Sequence, residues 1–194
     1  MTHVAPKTND SSLESADDDA SATAWIDVIP LIDPARDKFD LPGWTGGNDW
    51  RVKGGELYFD SYGKPGKLLF PLILDGSSVE WEIDYTRTAG DRGFNTDVPA
   101  SKGMVPIMFD GDSGRLARPA GRDLGLAAPV QIETGGRSTV TVRAEESNGR
   151  DRIEVFVDER SIGTWNGDRE TIAKPPVTGE DYSHSSRTGL FVHK

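Results

Sequence analysis

The sequence predicts an all-β protein, an antiparallel β-sandwich of two sheets. From Trp25 onward apolar residues recur at every second position rather than every third or fourth, as in strands with one buried face. These runs end at clusters of Gly, Pro, Asn or Asp, which are typical of turns. No stretch has the periodicity and caps of a helix of ordinary length, and residues 168–173 form a turn at most.

The most regular strand is predicted at residues 79–86. Every odd position there is apolar and every even position is polar, the pattern of a half-buried strand. We therefore expect Trp81, Ile83 and Tyr85 to face the core.

A β-hairpin is predicted from residues 138–144 and 152–158. They flank residues 145–151, which have Asn148-Gly149 at their centre, the strongest short turn signal. Alternation directs one set of side chains inward: Val140, Val142, Ile153, Val155 and Val157. It places another set on the opposite, polar face: Thr141, Arg143, Glu154 and Phe156.

Shorter strands complete the prediction. We expect them at residues 26–32, 50–52, 57–59, 67–73, 104–109, 162–165 and 189–192. Residues 111–128 are rich in Gly, Arg and Pro, which predicts a long loop.

The chain of 194 residues has the length of one domain with a tail. Residues 1–24 are acidic and almost without large apolar side chains, so we predict a disordered tail followed by a sandwich domain at 25–194. No segment resembles a secretory signal or an 18-residue apolar span, so we expect no membrane insertion and, by default, a cytoplasmic location.

Charge and cysteine content exclude several function classes. The net charge of -10 is opposite to the basic surface that binds phosphate backbones, so nucleic acid is not an expected partner. The absence of cysteine excludes disulfides, thiolate catalysis and cysteine-ligated zinc. The compartment itself stays undetermined.

Metal and cofactor signals are weak. Residues 110–114, Asp-Gly-Asp-Ser-Gly, have the opening rhythm of a calcium loop, but the twelfth position is Gly121 where a bidentate Glu is required. An EF-hand is excluded, and a looser calcium site is the alternative. No other metal and no cofactor is predicted, because the three histidines are not at metal-binding spacing.

The strand predicted at residues 79–86 carries a row of carboxylates on its polar side, Glu80, Glu82 and Asp84. Laminarinase- and lichenase-type glucanases carry Glu-x-Asp-x-Glu on a strand, but position 86 here is Thr86, so the final carboxylate is missing. We expect a solvated polar face and assign no catalytic residue. A sugar-cleaving enzyme using one of these carboxylates is the alternative.

Aromatic residues suggest a ligand platform, because flat rings stack on the apolar faces of sugars. Trp44 and Trp50 flank a Gly-rich segment and are expected to be loop anchors rather than platforms. For Phe156 and Trp165 the two interpretations are balanced. The predicted ligand-binding residues, with carbohydrate as the expected partner, are Glu82, Asp84, Arg143 and Phe156 on the polar face, with Trp165 nearby.

The order of several motifs resembles a known family. They are Leu31-Ile32-Asp33 leading to Gly43-Trp44, residues 50–57, 79–87, 136–143 and 153–158, and Trp165-Asn166-Gly167-Asp168. Together they resemble concanavalin A-like lectin/glucanase (laminin G-like) jelly-roll domains, similar to bacterial and planctomycete 3-keto-disaccharide hydrolase-type domains.

The resemblance implies a jelly-roll sandwich and a non-catalytic binding module, with partners that include other domains of a larger protein. The alternatives are a hydrolase of glycosidic bonds and a structural or protein-contact domain. No catalytic residue is carried over. Where the family has Asp-Gly at a hairpin tip, this chain has Asp158-Glu159-Arg160, so a different turn is expected.

Overall fold

The computed structural model describes residues 25–39, 49–60, 66–72, 74, 78–89, 93–100, 103–109, 133–147, 150–171 and 189–192. These ranges contain eleven strands, one four-residue α-helix and two short 3-10 helices. The protein is therefore all-β, as predicted.

The strands form three sheets in which every pairing is antiparallel. The five-stranded sheet has the spatial order β1 (Lys38–Phe39), β4 (Gly66–Leu69), β11 (Gly189–Val192), β6 (Phe94–Ala100) and β7 (Gly103–Phe109). The four-stranded sheet has the order β10 (Arg160–Gly167), β9 (Arg150–Val157), β8 (Arg137–Ser147) and β5 (Val79–Thr86). The third sheet is a hairpin of β2 (Asp49–Lys53) and β3 (Glu56–Asp60).

One core joins the two larger sheets into a sandwich, which confirms the predicted fold class. The five-stranded sheet contributes Phe94, Val98, Val105, Ile107 and Phe109, and the four-stranded sheet contributes Val140, Val142, Ile153, Val155 and Trp165. Phe94 is central, since its ring stacks on Phe109 at 5.0 Å and packs against Tyr85 at 4.6 Å between centroids. Burial of these apolar side chains is the main stabilising contribution.

A smaller core holds the β2–β3 hairpin against the five-stranded sheet. It contains Ile32, Trp50, Leu68 and Phe70, and the ring of Trp50 lies 4.5 Å from that of Phe59. Trp50 is buried, as expected of an anchor. This third, two-stranded sheet was not part of the predicted architecture.

The two strongest strand predictions are confirmed. Strand β5 covers residues 79–86, and Trp81, Ile83 and Tyr85 pack against the core. Strands β8 and β9 pair as a hairpin, with Val140 opposite Val157 and all five predicted inward residues buried. The hairpin strands are longer than expected, because pairing continues to Ser147 opposite Arg150.

The predicted strand at 26–32 is wrong. This segment contains a 3-10 helix, Ile29–Leu31, and is followed by helix α1, Pro34–Asp37, which the sequence analysis missed. Each helix has a proline at its first or second position, where the missing N–H is not needed. The Asp33 side chain caps α1 by accepting from the Ala35 N–H at 3.0 Å.

Strand β6 was not predicted, although it lies between β11 and β7 in the five-stranded sheet. Its residues include Asn95 and Asp97, which are buried on the face away from the core, and Pro99. Alternation between buried apolar and exposed polar residues is therefore absent. The other short strands were predicted correctly in position, with β4 ending at Leu69 rather than at residue 73.

The turn at Asp158-Glu159 connects β9 to β10. Val157 pairs with Arg160, and the two residues between them have φ angles of 50° and 64°. Both angles lie in the left-handed region, as a two-residue hairpin turn of type I′ requires. Asp158 helps to hold the turn, since its carboxylate accepts from the Thr139 N–H at 2.8 Å.

Several predictions fall on residues that the structure does not describe. They are the tail at 1–24, the loop at 111–128, the calcium-like segment at 110–114, Trp44 and the Asn148-Gly149 turn. Among the helices of the described ranges, none has the length and apolar character needed to cross a membrane.

Candidate functional site

The candidate site is the outer face of the four-stranded sheet, the side opposite the core. We call it the polar face. Antiparallel register arranges its side chains in rows that run across the strands. One of them, the central row, contains Glu82 on β5, Thr141 on β8, Phe156 on β9 and Ser161 on β10.

On one side of the central row, Arg143 is held by two neighbours. Its Nε and one terminal nitrogen donate to the two carboxylate oxygens of Glu80 at 2.8 and 3.0 Å. This hydrogen bond raises the pKa of Arg143. The Arg143 guanidinium carbon also lies 5.3 Å from the ring centroid of Phe156, within range of a cation–π interaction. The aromatic ring and the ion pair therefore support each other.

On the other side of the central row, Asp84 is fully engaged. It accepts a hydrogen bond from the Thr139 hydroxyl at 2.7 Å and forms an ion pair with Arg137. The Thr139 hydrogen bond, followed by the Arg137 hydrogen bond, lowers the pKa of Asp84. A glycosidase acid requires a raised pKa, so the environment of Asp84 is opposite to that role.

The central row differs from its neighbours because its polar side chains have no partner among the described residues. The side chains of Glu82, Thr141 and Ser161 form no hydrogen bond or ion pair with any part of the chain that the structure describes. Glu82 and Ser161 are exposed, and Thr141 and Phe156 are partly buried. With strands about 4.8 Å apart, the row extends roughly 14 Å across the sheet.

Four of the five predicted ligand-binding residues, Glu82, Asp84, Arg143 and Phe156, lie together on the polar face. Trp165 does not, and its predicted place beside them is corrected. It pairs with Ile153, belongs to the core and is 9% exposed.

The cause of this difference is a β-bulge in β10. The register shifts between Ser161 and Gly163, so that Ser161 faces outward with Phe156 while Trp165 faces inward. Unbroken alternation from Ser161 would have placed Trp165 outward. A one-residue shift in register moves all subsequent side chains to the other face.

A second polar group lies on the outer face of the five-stranded sheet. The amine of Lys67 is 3.7 Å from the Asp97 carboxylate, and the side chains of these residues are 13% and 8% exposed. Asn95, also buried, precedes Asp97 by two residues on β6 and therefore shares its face. All three have further partners. Sequence reasoning missed this group because it missed β6, and buried polar residues on a strand leave no periodic signal.

Metal binding has no geometric support in the described ranges, where no three His, Asp or Glu side chains are positioned to share an ion. No protein-family model matches the chain, and no curated protein is significantly similar to it.

Proposed function

We propose that the protein is a non-catalytic carbohydrate-binding module and that an oligosaccharide binds along the central row of the polar face. The observation that carries the proposal is the Phe156 ring lying between two hydrogen-bonding side chains, Thr141 and Ser161, that have no partner in the described ranges. Sugar rings combine apolar C–H faces with hydroxyl groups, and an aromatic ring beside free polar groups matches both.

The neighbouring contacts support this assignment. Arg143 is fixed by Glu80 and lies against Phe156, so the ring is oriented before a ligand arrives. Orientation in advance lowers the entropic cost of binding. The all-β sandwich is also compatible with the concanavalin A-like jelly roll that the sequence resembles, and we include that family assignment in the proposal.

Calorimetric titration with neutral hexasaccharides tests the proposal. The panel consists of β-1,4-glucan, β-1,3-glucan and β-1,4-mannan hexamers. We expect saturable binding of at least one, with a Kd between about 1 mM and 1 μM, because one stacked ring and a few exposed hydrogen bonds give modest affinity. Absence of saturable binding for the whole panel and for the hexamers of chitin and chitosan would contradict the proposal.

The variant Phe156→Ala identifies the face. Loss of stacking weakens binding several-fold, on the order of 1 kcal/mol. The matched control is Tyr58→Ala, which removes a 39% exposed aromatic from β3, in another sheet, and is expected to leave affinity unchanged. Thermal unfolding of both variants checks that each is folded. Equal effects of the two substitutions would exclude the polar face as the binding surface.

A further inference from the structure

The charge pattern along β5 makes the ligand class more specific. Glu80, Glu82 and Asp84 alternate along the outer face of this strand, about 7 Å apart. Glu80 is neutralised by Arg143, and Asp84 is neutralised by Arg137. Glu82 lies between them and faces the uncharged Thr141, and no described residue compensates its charge. Of the three carboxylates on β5, Glu82 is therefore the one available to pair with a cation.

The position of β5 makes Glu82 accessible. Among the described strands this one lies at an edge of the four-stranded sheet, where it pairs with β8. The Glu82 side chain is exposed. It is separated from the Phe156 ring by Thr141 alone, so one oligosaccharide can contact all three residues.

We infer that the ligand is an amino sugar oligomer, whose protonated amine pairs with Glu82 while a neighbouring sugar ring stacks on Phe156. This inference rests on the proposed function and narrows its substrate class. The net charge of -10 acts in the same direction, because it attracts cationic ligands and repels uronic acids. The Glu82 contact is local and gives the amine a defined place in the row.

Three β-1,4-linked hexamers separate these possibilities, since they differ only at the second carbon of each sugar. Cellohexaose carries a hydroxyl, the chitin hexamer an acetamide and the fully deacetylated chitosan hexamer a protonated amine. At low salt, with the amines protonated, we expect the chitosan hexamer to bind about two- to five-fold more tightly than the neutral hexamers, the range of one exposed ion pair. The preference should disappear near 1 M salt, where the Debye length is about 3 Å.

Two variants of equal net charge locate the contact. Glu82→Gln should abolish the amine preference, measured as the ratio of the Kd values of cellohexaose and the chitosan hexamer for the same variant. Glu145→Gln removes an exposed carboxylate from the same face of β8, in a different row, and should preserve the preference. The inference is overturned if the preference persists in Glu82→Gln, or if both variants reduce it equally. Either result would mean that the overall charge, and not Glu82, causes the preference.

The outcomes also distinguish the two proposals. Equal binding of all three hexamers to the unmodified protein overturns the amino sugar inference and leaves carbohydrate binding in place. Failure of the neutral panel and of all three hexamers to bind overturns both. Tighter binding of the chitosan hexamer, lost in Glu82→Gln and weakened in Phe156→Ala, supports both.

Discussion

The Asp151 carboxylate accepts hydrogen bonds from two groups of Arg169, its backbone N–H at 2.8 Å and its Nε at 2.6 Å. Both side chains are buried, at 10% and 9% exposure. Arg169 begins the 3-10 helix Arg169–Thr171, which follows β10, and it also donates to the Pro99 carbonyl at 3.1 Å. The pair therefore connects β9 to strand β6 of the other sheet. A buried pair of this kind is costly to break, since either partner alone is an uncompensated charge.

We expect Asp151→Ala and Arg169→Ala each to lower the free energy of unfolding by about 3–5 kcal/mol. Urea denaturation measures the loss. The comparison pair is Arg137 and Asp84, whose side chains are 68% and 46% exposed, where Arg137→Ala should cost at most about 1 kcal/mol. Similar losses at the two pairs would show that burial does not set the energetics.

Phe94 provides a second test of the fold. It is 1% exposed and lies between Phe109 and Tyr85, so Phe94→Ala leaves a cavity at the centre of the sandwich. We expect a loss of about 3–5 kcal/mol by urea denaturation. Trp25→Ala, at a position 60% exposed, should change stability by less than about 0.5 kcal/mol. A small effect of Phe94→Ala would place the core elsewhere.

The turn at Asp158-Glu159 can be improved. Glu159 has a φ of 64°, a conformation that costs residues with a Cβ atom about 1–2 kcal/mol and costs glycine little. Glu159→Gly should raise the free energy of unfolding by about 1 kcal/mol in chemical denaturation. Glu159→Ala removes the same carboxylate but keeps the Cβ atom, so it should give no comparable gain. An equal gain from both would indicate a charge effect.

Asp84 makes stability depend on pH in a defined direction. Its pKa is lowered in the folded protein, so its contribution to stability is complete above the ordinary value of about 3.9 and is lost as pH falls through the folded-state pKa. Because the side chain is 46% exposed, the contribution is at most about 1 kcal/mol.

The corresponding experiment compares the protein with Asp84→Asn by urea denaturation from pH 7 to pH 2. The difference in stability should shrink below about pH 4. Thr139→Val removes the largest cause of the pKa shift and should make the difference smaller throughout. If the stability difference between the protein and Asp84→Asn grows at low pH, the Asp84 carboxylate does not stabilise the fold in the expected direction.

The sandwich was predictable where one face of a strand is buried and the other is solvated. Strand β5 and the β8–β9 hairpin follow this rule. Their alternation therefore also predicted one shared face for Glu82, Asp84, Arg143 and Phe156. Strand β6 does not follow it, because Asn95 and Asp97 are buried opposite the core. Whether a polar residue on a strand meets water depends on what packs over it, which sequence alternation does not encode.

Which side chains of the polar face have partners, and which do not, could not be predicted from the sequence either. Glu80, Glu82 and Asp84 are equivalent in the alternating pattern of β5. Only the register with β8 places arginines beside the first and last and Thr141 opposite the middle one. Register depends on the whole sheet, so local composition could name the row of carboxylates but not select Glu82 from it.

The β-bulge in β10 has a consequence for chain length variation. Insertion of a single residue between Gly163 and Thr164, with the pairing to β9 unbroken, would exchange the inner and outer sets over the last residues of the strand. The indole of Trp165 would then project into solvent beside Arg152, and the core would lose one of its largest members. In this strand a single codon therefore determines whether the tryptophan is buried or lies on the surface.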